Sequence, residues 1–161
     1  MEKITIKLKN ITIKVDHDYY DCISDIITNE KILKLDEFKH HINITRLEHS
    51  IRVSMLNYKL CKLFGFDYIS AARAGLLHDF FLYDWRNRRP KKFFLKHGFT
   101  HSRRALKNTK KNFSINEIEA DMILKHMWPL NIQMPKYRET FVIIFTDKLT
   151  CINDIILSWI K

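Results

Sequence analysis

Residues 45–79 read TRLEHSIRVSMLNYKLCKLFGFDYISAARAGLLHD, and this stretch decides the fold. Thr45 is of the type that caps a helix start, and Leu47, Ile51, Met55, Tyr58 and Lys62 then trace one strip at helical spacing. Gly65, after Leu63-Phe64, is the expected C-terminal stop, so the segment predicts one long helix. Asp67 suits the cap of the next helix. There Ala71, Ala72, Ala74, Leu76 and Leu77 carry little bulk, which predicts a closely packed, buried helix ending at His78-Asp79.

Outward from this pair of helices the pattern stays helical except at the N-terminus. Ile4, Ile6 and Leu8, then Ile11, Ile13 and Val15, alternate around Lys9-Asn10 and predict a short hairpin. From Tyr19 the period lengthens through Cys22, Ile23, Ile26 and Ile27, and Asn29 can cap a second short helix to Leu35. Lys39 to Asn43 reads as a linker, and the basic, proline-bearing stretch from Trp85 to Lys92 as a surface loop. A helix is predicted from about Thr100 to Asn112. Ser114 with Glu117 has capping-box spacing for another, running to about His126-Met127 and stopping before Pro129. Residues 127–137 read as a loop. Phe141, Ile144, Phe145, Lys148, Leu149 and Ile152 open a last helix through Trp159, with apolar faces wide enough for a central position. The predicted class is all-α, a helical bundle over 19–161 with a short N-terminal β-hairpin over 1–18.

Composition agrees. With 3 Gly and 3 Pro in 161 residues, turn formers are too few for a many-stranded sandwich, and 46% hydrophobic residues are too many for disorder. Cys22, Cys61 and Cys151 are odd in number and lack C-x-x-C spacing, which points away from disulfides or a thiolate zinc site and towards a reducing, cytoplasmic setting. No signal peptide is expected at Met1-Glu2-Lys3, nor any apolar run long enough for a bilayer. The formal charge of +10 admits nucleic acid, an anionic surface or phosphorylated substrates as partners. A lysine-rich compositional bias on a solvated surface explains it equally well.

Six metal-capable residues fall at telling places in the helical reading: His49, His78, Asp79, His101, His126 and Asp147. Four lie within otherwise apolar strips. An ionised Asp147 among Ile143, Ile144, Phe145 and Leu149 is costly to bury without a partner, and a metal ion neutralises it best. Mixed imidazole and carboxylate donors suit zinc, manganese or iron with open positions for water. Two such metals sharing a carboxylate suit phosphoryl displacement.

Glu48-His49-Ser50-Ile51-Arg52-Val53, Leu76-Leu77-His78-Asp79 and Asp147-Lys148 together resemble the H…HD…D signature of the HD superfamily of metal-dependent phosphohydrolases. The resemblance spans roughly residues 45–155. With His101 and His126 added, the order resembles the binuclear subgroup, H…HD…H…H…D, which includes nucleotide hydrolases and a few di-iron oxygenases. It implies that His49, His78, Asp79 and Asp147 hold one metal, that Asp79 bridges to a second held by His101 and His126, and that a metal-bridging hydroxide is the nucleophile. The chain departs from the cyclic dinucleotide enzymes: no Gly-Tyr-Pro follows, Thr45 stands four before His49, and Met127 follows His126. Phe80-Phe81-Leu82 stands where some binuclear members place a lysine.

The leading expectation is therefore hydrolysis of a phosphoester or phosphoanhydride in a phosphorylated small molecule, a nucleotide by preference, with two divalent transition metals (Fe, Mn or Zn). Asp84 is the candidate proton donor or water positioner, and Lys148 and Lys125 can reach substrate phosphate. Arg86, Arg88 and Arg89, with Lys91 and Lys92, are placed to meet phosphate at the pocket mouth. A solvated loop is the alternative for that stretch. Arg52 reads as a structural ion-pair partner, His97 as a surface residue, and His17, His40 and His41 carry no assigned role. Trp85 and Trp128 can line the pocket or simply pack. Two further readings stand beside hydrolysis: a mixed-valence di-iron oxygenase on the same ligands, and a basic nucleotide or nucleic-acid binding module with a structural metal. The hairpin edge and the final apolar helix, with Trp159 and Ile160, offer surfaces for a homodimer.

Overall fold

A computed structural model describes residues 3–8, 12–41, 44–84 and 97–160, with backbone alone at 41, 97, 99 and 157–160. The strands β1 (Lys3–Lys7) and β2 (Thr12–Asp16) lead into α1 (His17–Ile27), α2 (Glu30–Leu33) and a 3-10 turn over Lys34–Glu37. A second strand pair, β3 (Lys39–His41) and β4 (Ile44–Thr45), precedes α3 (Arg46–Phe64) and α4 (Tyr68–Leu77). Then come α5 (His97–Asn112), α6 (Glu117–Lys125) and α7 (Arg138–Ile160). The architecture is mostly helical with a short N-terminal hairpin, as predicted. No helix among the described residues is long and apolar enough to cross a membrane.

The local causes match the sequence at most boundaries. Thr45 Oγ1 accepts from the Glu48 N–H at 3.2 Å, and Gly65 closes α3 at φ 68. Asp67 caps α4 by accepting from the Ser70 N–H at 2.9 Å. The hairpin pairs antiparallel with Ile4 opposite Val15 and Ile6 opposite Ile13. Ile6 and Val15 join the same core as Ile23, Ile26, Leu47, Ile51 and Leu76.

The α3–α4 contact is built from small residues. Ser54 Oγ donates to the Ala72 carbonyl at 2.6 Å and accepts from the Tyr19 hydroxyl at 2.8 Å, while Asn57 Nδ2 donates to the Ala71 carbonyl at 3.3 Å. At Gly75 the helices approach so closely that an added Cβ would lie 2.6 Å from Ser54 Cα. Because the obstacle is backbone, Gly75→Ala is expected to force the two helices apart and to destabilise the fold by about 1–3 kcal/mol. Urea unfolding measures it, and a variant as stable as the parent would refute the close approach.

Three expectations change. The predicted linker Lys39 to Asn43 instead carries β3, which pairs with β4 through the register Lys39 to Thr45 and His41 to Ile44. The capping box of α6 is Asn116 with Glu119, not Ser114 with Glu117: Asn116 Oδ1 accepts from the Glu119 N–H at 2.8 Å and Glu119 accepts from the Asn116 N–H at 2.9 Å. Both spacings occur in the sequence, but Glu119 is the buried one and accepts from Arg73 of α4 at 2.7 Å, whereas Glu117 stays exposed with Lys136 and Tyr137. Finally, α7 is not central. Ile143 and Ile144 are buried, but Phe141, Phe145, Leu149 and Ile152 face outward.

Candidate metal centre

Helices α3 to α7 each deliver a donor to one buried place. His49 comes from the first turn of α3, His78 and Asp79 from the end of α4, His101 from α5, His126 from the end of α6 and Asp147 from α7. All six predicted ligands are buried. Close sets form from His49, His78 and Asp79, from His78, His126 and Asp147, and from Asp79, His101 and His126.

Three of the rings are aimed by a hydrogen bond at the far nitrogen. His78 Nδ1 lies 2.8 Å from the Gly75 carbonyl and His126 Nδ1 lies 2.9 Å from the Ile123 carbonyl. A carbonyl only accepts, so each Nδ1 carries the hydrogen and each Nε2 lone pair points into the centre. His49 Nδ1 is held at 3.3 Å by Asp154 Oδ2, leaving Nε2 at 3.0 Å from Asp147 Oδ1. Arg52 in turn bonds the other Asp154 oxygen at 2.6 Å and Glu48 at 2.5 Å, the structural ion-pair role read from its position. A carboxylate behind a histidine is the usual support of a ligating ring.

Asp79 stands between two groups of imidazoles. Its Oδ2 is 3.9 Å from His78 Nε2, and its Oδ1 is 3.6 Å from His101 Nε2 and 4.0 Å from His126 Nε2. Donors bound to one ion at about 2.1 Å sit roughly 3.0–3.6 Å apart for angles from square to trigonal. His101 Nε2 and His126 Nε2, 2.9 Å apart, match that spacing. Meanwhile His78 Nε2 and Asp79 Oδ1 are buried with no hydrogen-bond partner among the described residues. Inward-facing lone pairs, two orphaned buried atoms and a mixed imidazole–carboxylate donor set fit a metal centre.

The electrostatics carry the same sign. Burial opposes ionisation of Asp79, but the imidazoles of His78, His101, His40 and His126 outweigh it and hold the carboxyl well below the usual range. Asp147 is likewise held down, against burial, by its hydrogen bond to His49 and by the charges of His78 and His49. For His49, burial works against the charged ring, yet the bonds to Asp147 and Asp154 push it up to about 9. Burial, with the charges of His101 and His78, pushes His126 down to about 3. The site thus holds anions in place inside a ring of bases, the arrangement a cation completes.

Two members escaped the sequence reading. His40, on β3, stacks on His49 with ring centroids 3.8 Å apart, puts Nδ1 3.6 Å from Asp79 Oδ2 and Nε2 3.7 Å from Cys151 Sγ. Asp154 lies seven residues after Asp147, two turns along the same face of α7, and that spacing was the available signal. Asp154→Asn is expected to weaken metal binding roughly 10- to 100-fold, because the ring behind Asp147 loses its anionic support. Competition with a chelating dye reads this, and unchanged affinity would remove Asp154 from the centre.

Lys148 sits on the exposed side of α7, and its Nζ donates to the Trp128 carbonyl at 3.2 Å. Lys125 is paired with Asp121 at 2.5 Å. Asp84 is half-buried and belongs to none of the close donor sets. Trp128 meets Phe141 edge-on at 6.3 Å between centroids. Trp85, Arg86, Arg88, Arg89, Lys91 and Lys92 fall outside the described residues, as does the side chain of His97. Compared with family models, with curated proteins and with solved structures, the chain matches none.

Proposed function

We propose that this chain is a metal-dependent phosphohydrolase of the HD type, cleaving a phosphoester or phosphoanhydride bond in a phosphorylated small molecule, by preference a nucleotide. The observation that carries the reading is Asp79, whose two oxygens face different histidines: Oδ2 towards His78, Oδ1 towards His101 and His126. A carboxylate so placed suits a bridge between two ions, one with His49, His78 and Asp147, the other with His101 and His126. When bound, two divalent ions of the iron, manganese or zinc kind supply Lewis acidity towards phosphoryl oxygen and acidify water at the site.

The chain's own part is to fix the geometry and exclude bulk water. Asp79 sets the spacing of the two positions, while Asp154 and the Gly75 and Ile123 carbonyls hold the rings. Phe81, buried, meets the His101 ring edge-on at 6.0 Å between centroids and covers that side. The net charge of +10, with Arg103, Arg104, Lys107, Lys110 and Lys111 along α5, draws an anionic substrate towards the molecule. The arginines at 86, 88 and 89 supply bidentate phosphate contacts in this reading.

The test is elemental analysis of protein purified without oxygen, with phosphate release assayed over a panel of nucleotides. About two ions per chain and metal-dependent phosphate release are expected. Iron with oxygen consumption and no phosphate release would replace hydrolysis by oxidation, and metal-free protein whose anion binding falls steeply with salt would leave a binding module.

A further inference from the structure

The helix α7 is inverted relative to an ordinary surface helix. Its three acidic residues, Glu139, Asp147 and Asp154, are buried, whereas Phe141, Phe145, Leu149, Ile152 and Ile156 are 46%, 59%, 43%, 56% and 51% exposed. The inward face is committed to the centre and its supports, so the apolar side chains are left on the outside. Together they present about 500 Å² of nearly uncharged surface, at the size where a patch on a monomer signals an interaction. Lys148 is the single charged residue on the exposed positions from Phe141 to Ile156.

The spacing identifies the occupant. Phe145, Leu149, Ile152 and Ile156 follow one another by four, three and four residues, the seam of a 3.5-residue repeat that accepts one further helix. That order reads the same in both directions. An antiparallel copy of α7, related by a two-fold axis between Leu149 and Ile152, therefore sets Phe145 against Ile156 of the partner subunit and Leu149 against Ile152 of the partner subunit. Such self-matching is what an isologous interface requires. A lipid surface would need a basic border along the stripe, and Lys148 alone does not make one. The five side chains alone supply somewhat over half of the roughly 800 Å² per partner of a stable complex.

We propose that α7 is a homodimer interface, two copies packing antiparallel along Phe145, Leu149, Ile152 and Ile156. Sedimentation equilibrium of the full chain between about 1 and 100 μM, a range that detects micromolar affinity, should give twice the 19.5 kDa chain mass. Ile152→Glu and Leu149→Lys, each alone, should sediment as monomers with unchanged circular dichroism. Mixed in equal amounts they should associate again, because position 149 of one copy faces position 152 of the other. The regained association also shows that both variants are folded. A parent chain that stays monomeric at 100 μM, an Ile152→Glu variant that remains dimeric, or a mixture that fails to associate would each overturn the proposal, the last through its register.

Discussion

Asp79→Asn is expected to yield a folded chain that retains neither ion and hydrolyses nothing measurable. The carboxylate lies within 4.0 Å of four imidazole nitrogens, from His40, His78, His101 and His126, with one oxygen turned to each set. An amide in its place removes the negative charge that balances two cations and offers one weak oxygen where a bridge needs two. Losing the metals forfeits at least about 4 kcal/mol of transition-state stabilisation, roughly a thousandfold in rate. His101→Ala is the informative companion: it removes a donor on the Oδ1 side alone, so one ion should remain. Elemental analysis of both variants, with circular dichroism to confirm folding, separates the cases. Full metal occupancy in Asp79→Asn would sink the bridging role, and equal loss in both variants would mean the two positions fill only together.

Much of this centre was legible because helices make residue spacing informative. Thr45, Gly65 and Asp67 mark ends through backbone chemistry that depends on neighbours only, so their positions followed from the sequence. His78 and His126 each sit just past a helix, where the ring bonds the carbonyl three residues back, a local contact as well. What the sequence hid was set by distant partners. His40 lies on a strand too short for any periodicity, and only pairing with β4 and stacking on His49 give it a place. Ser114 and Asn116 were equivalent as caps until Arg73, 46 residues from Glu119, favoured one of them. Adjacency to a ligand did not reveal the partners of Lys125 and Lys148: the next residue on a helix lies about 100° around it, and Lys125 meets Asp121 while Lys148 meets the Trp128 carbonyl. The outward face of α7 deceived for the opposite reason, since apolar spacing says that a face is covered and not by which molecule.

Arg46→Ala is expected to cost about 3–5 kcal/mol of unfolding free energy. Arg46 is fully buried in the first turn of α3, where a positive charge meets the unfavourable end of the helix dipole. Its neighbours supply the compensation. The guanidinium lies 3.8 Å from the centre of the Phe81 ring and 5.0 Å from that of Phe38, and it donates to the Phe81 carbonyl at 2.6 Å and the Tyr83 carbonyl at 3.2 Å. One side chain thus ties the start of the helix bearing His49 to the segment that leaves Asp79. Alanine would strand those carbonyls and open a cavity between two aromatic rings. Lysine would keep the charge but lose the planar fork and the stacking, so Arg46→Lys should recover only part of the stability. Urea unfolding of the metal-free protein isolates this effect from ligand binding, because bound ions would otherwise raise the apparent stability of each variant. A loss below about 1 kcal/mol for Arg46→Ala would mean that Phe38, Phe81 and the α3 cap hold this junction without the guanidinium.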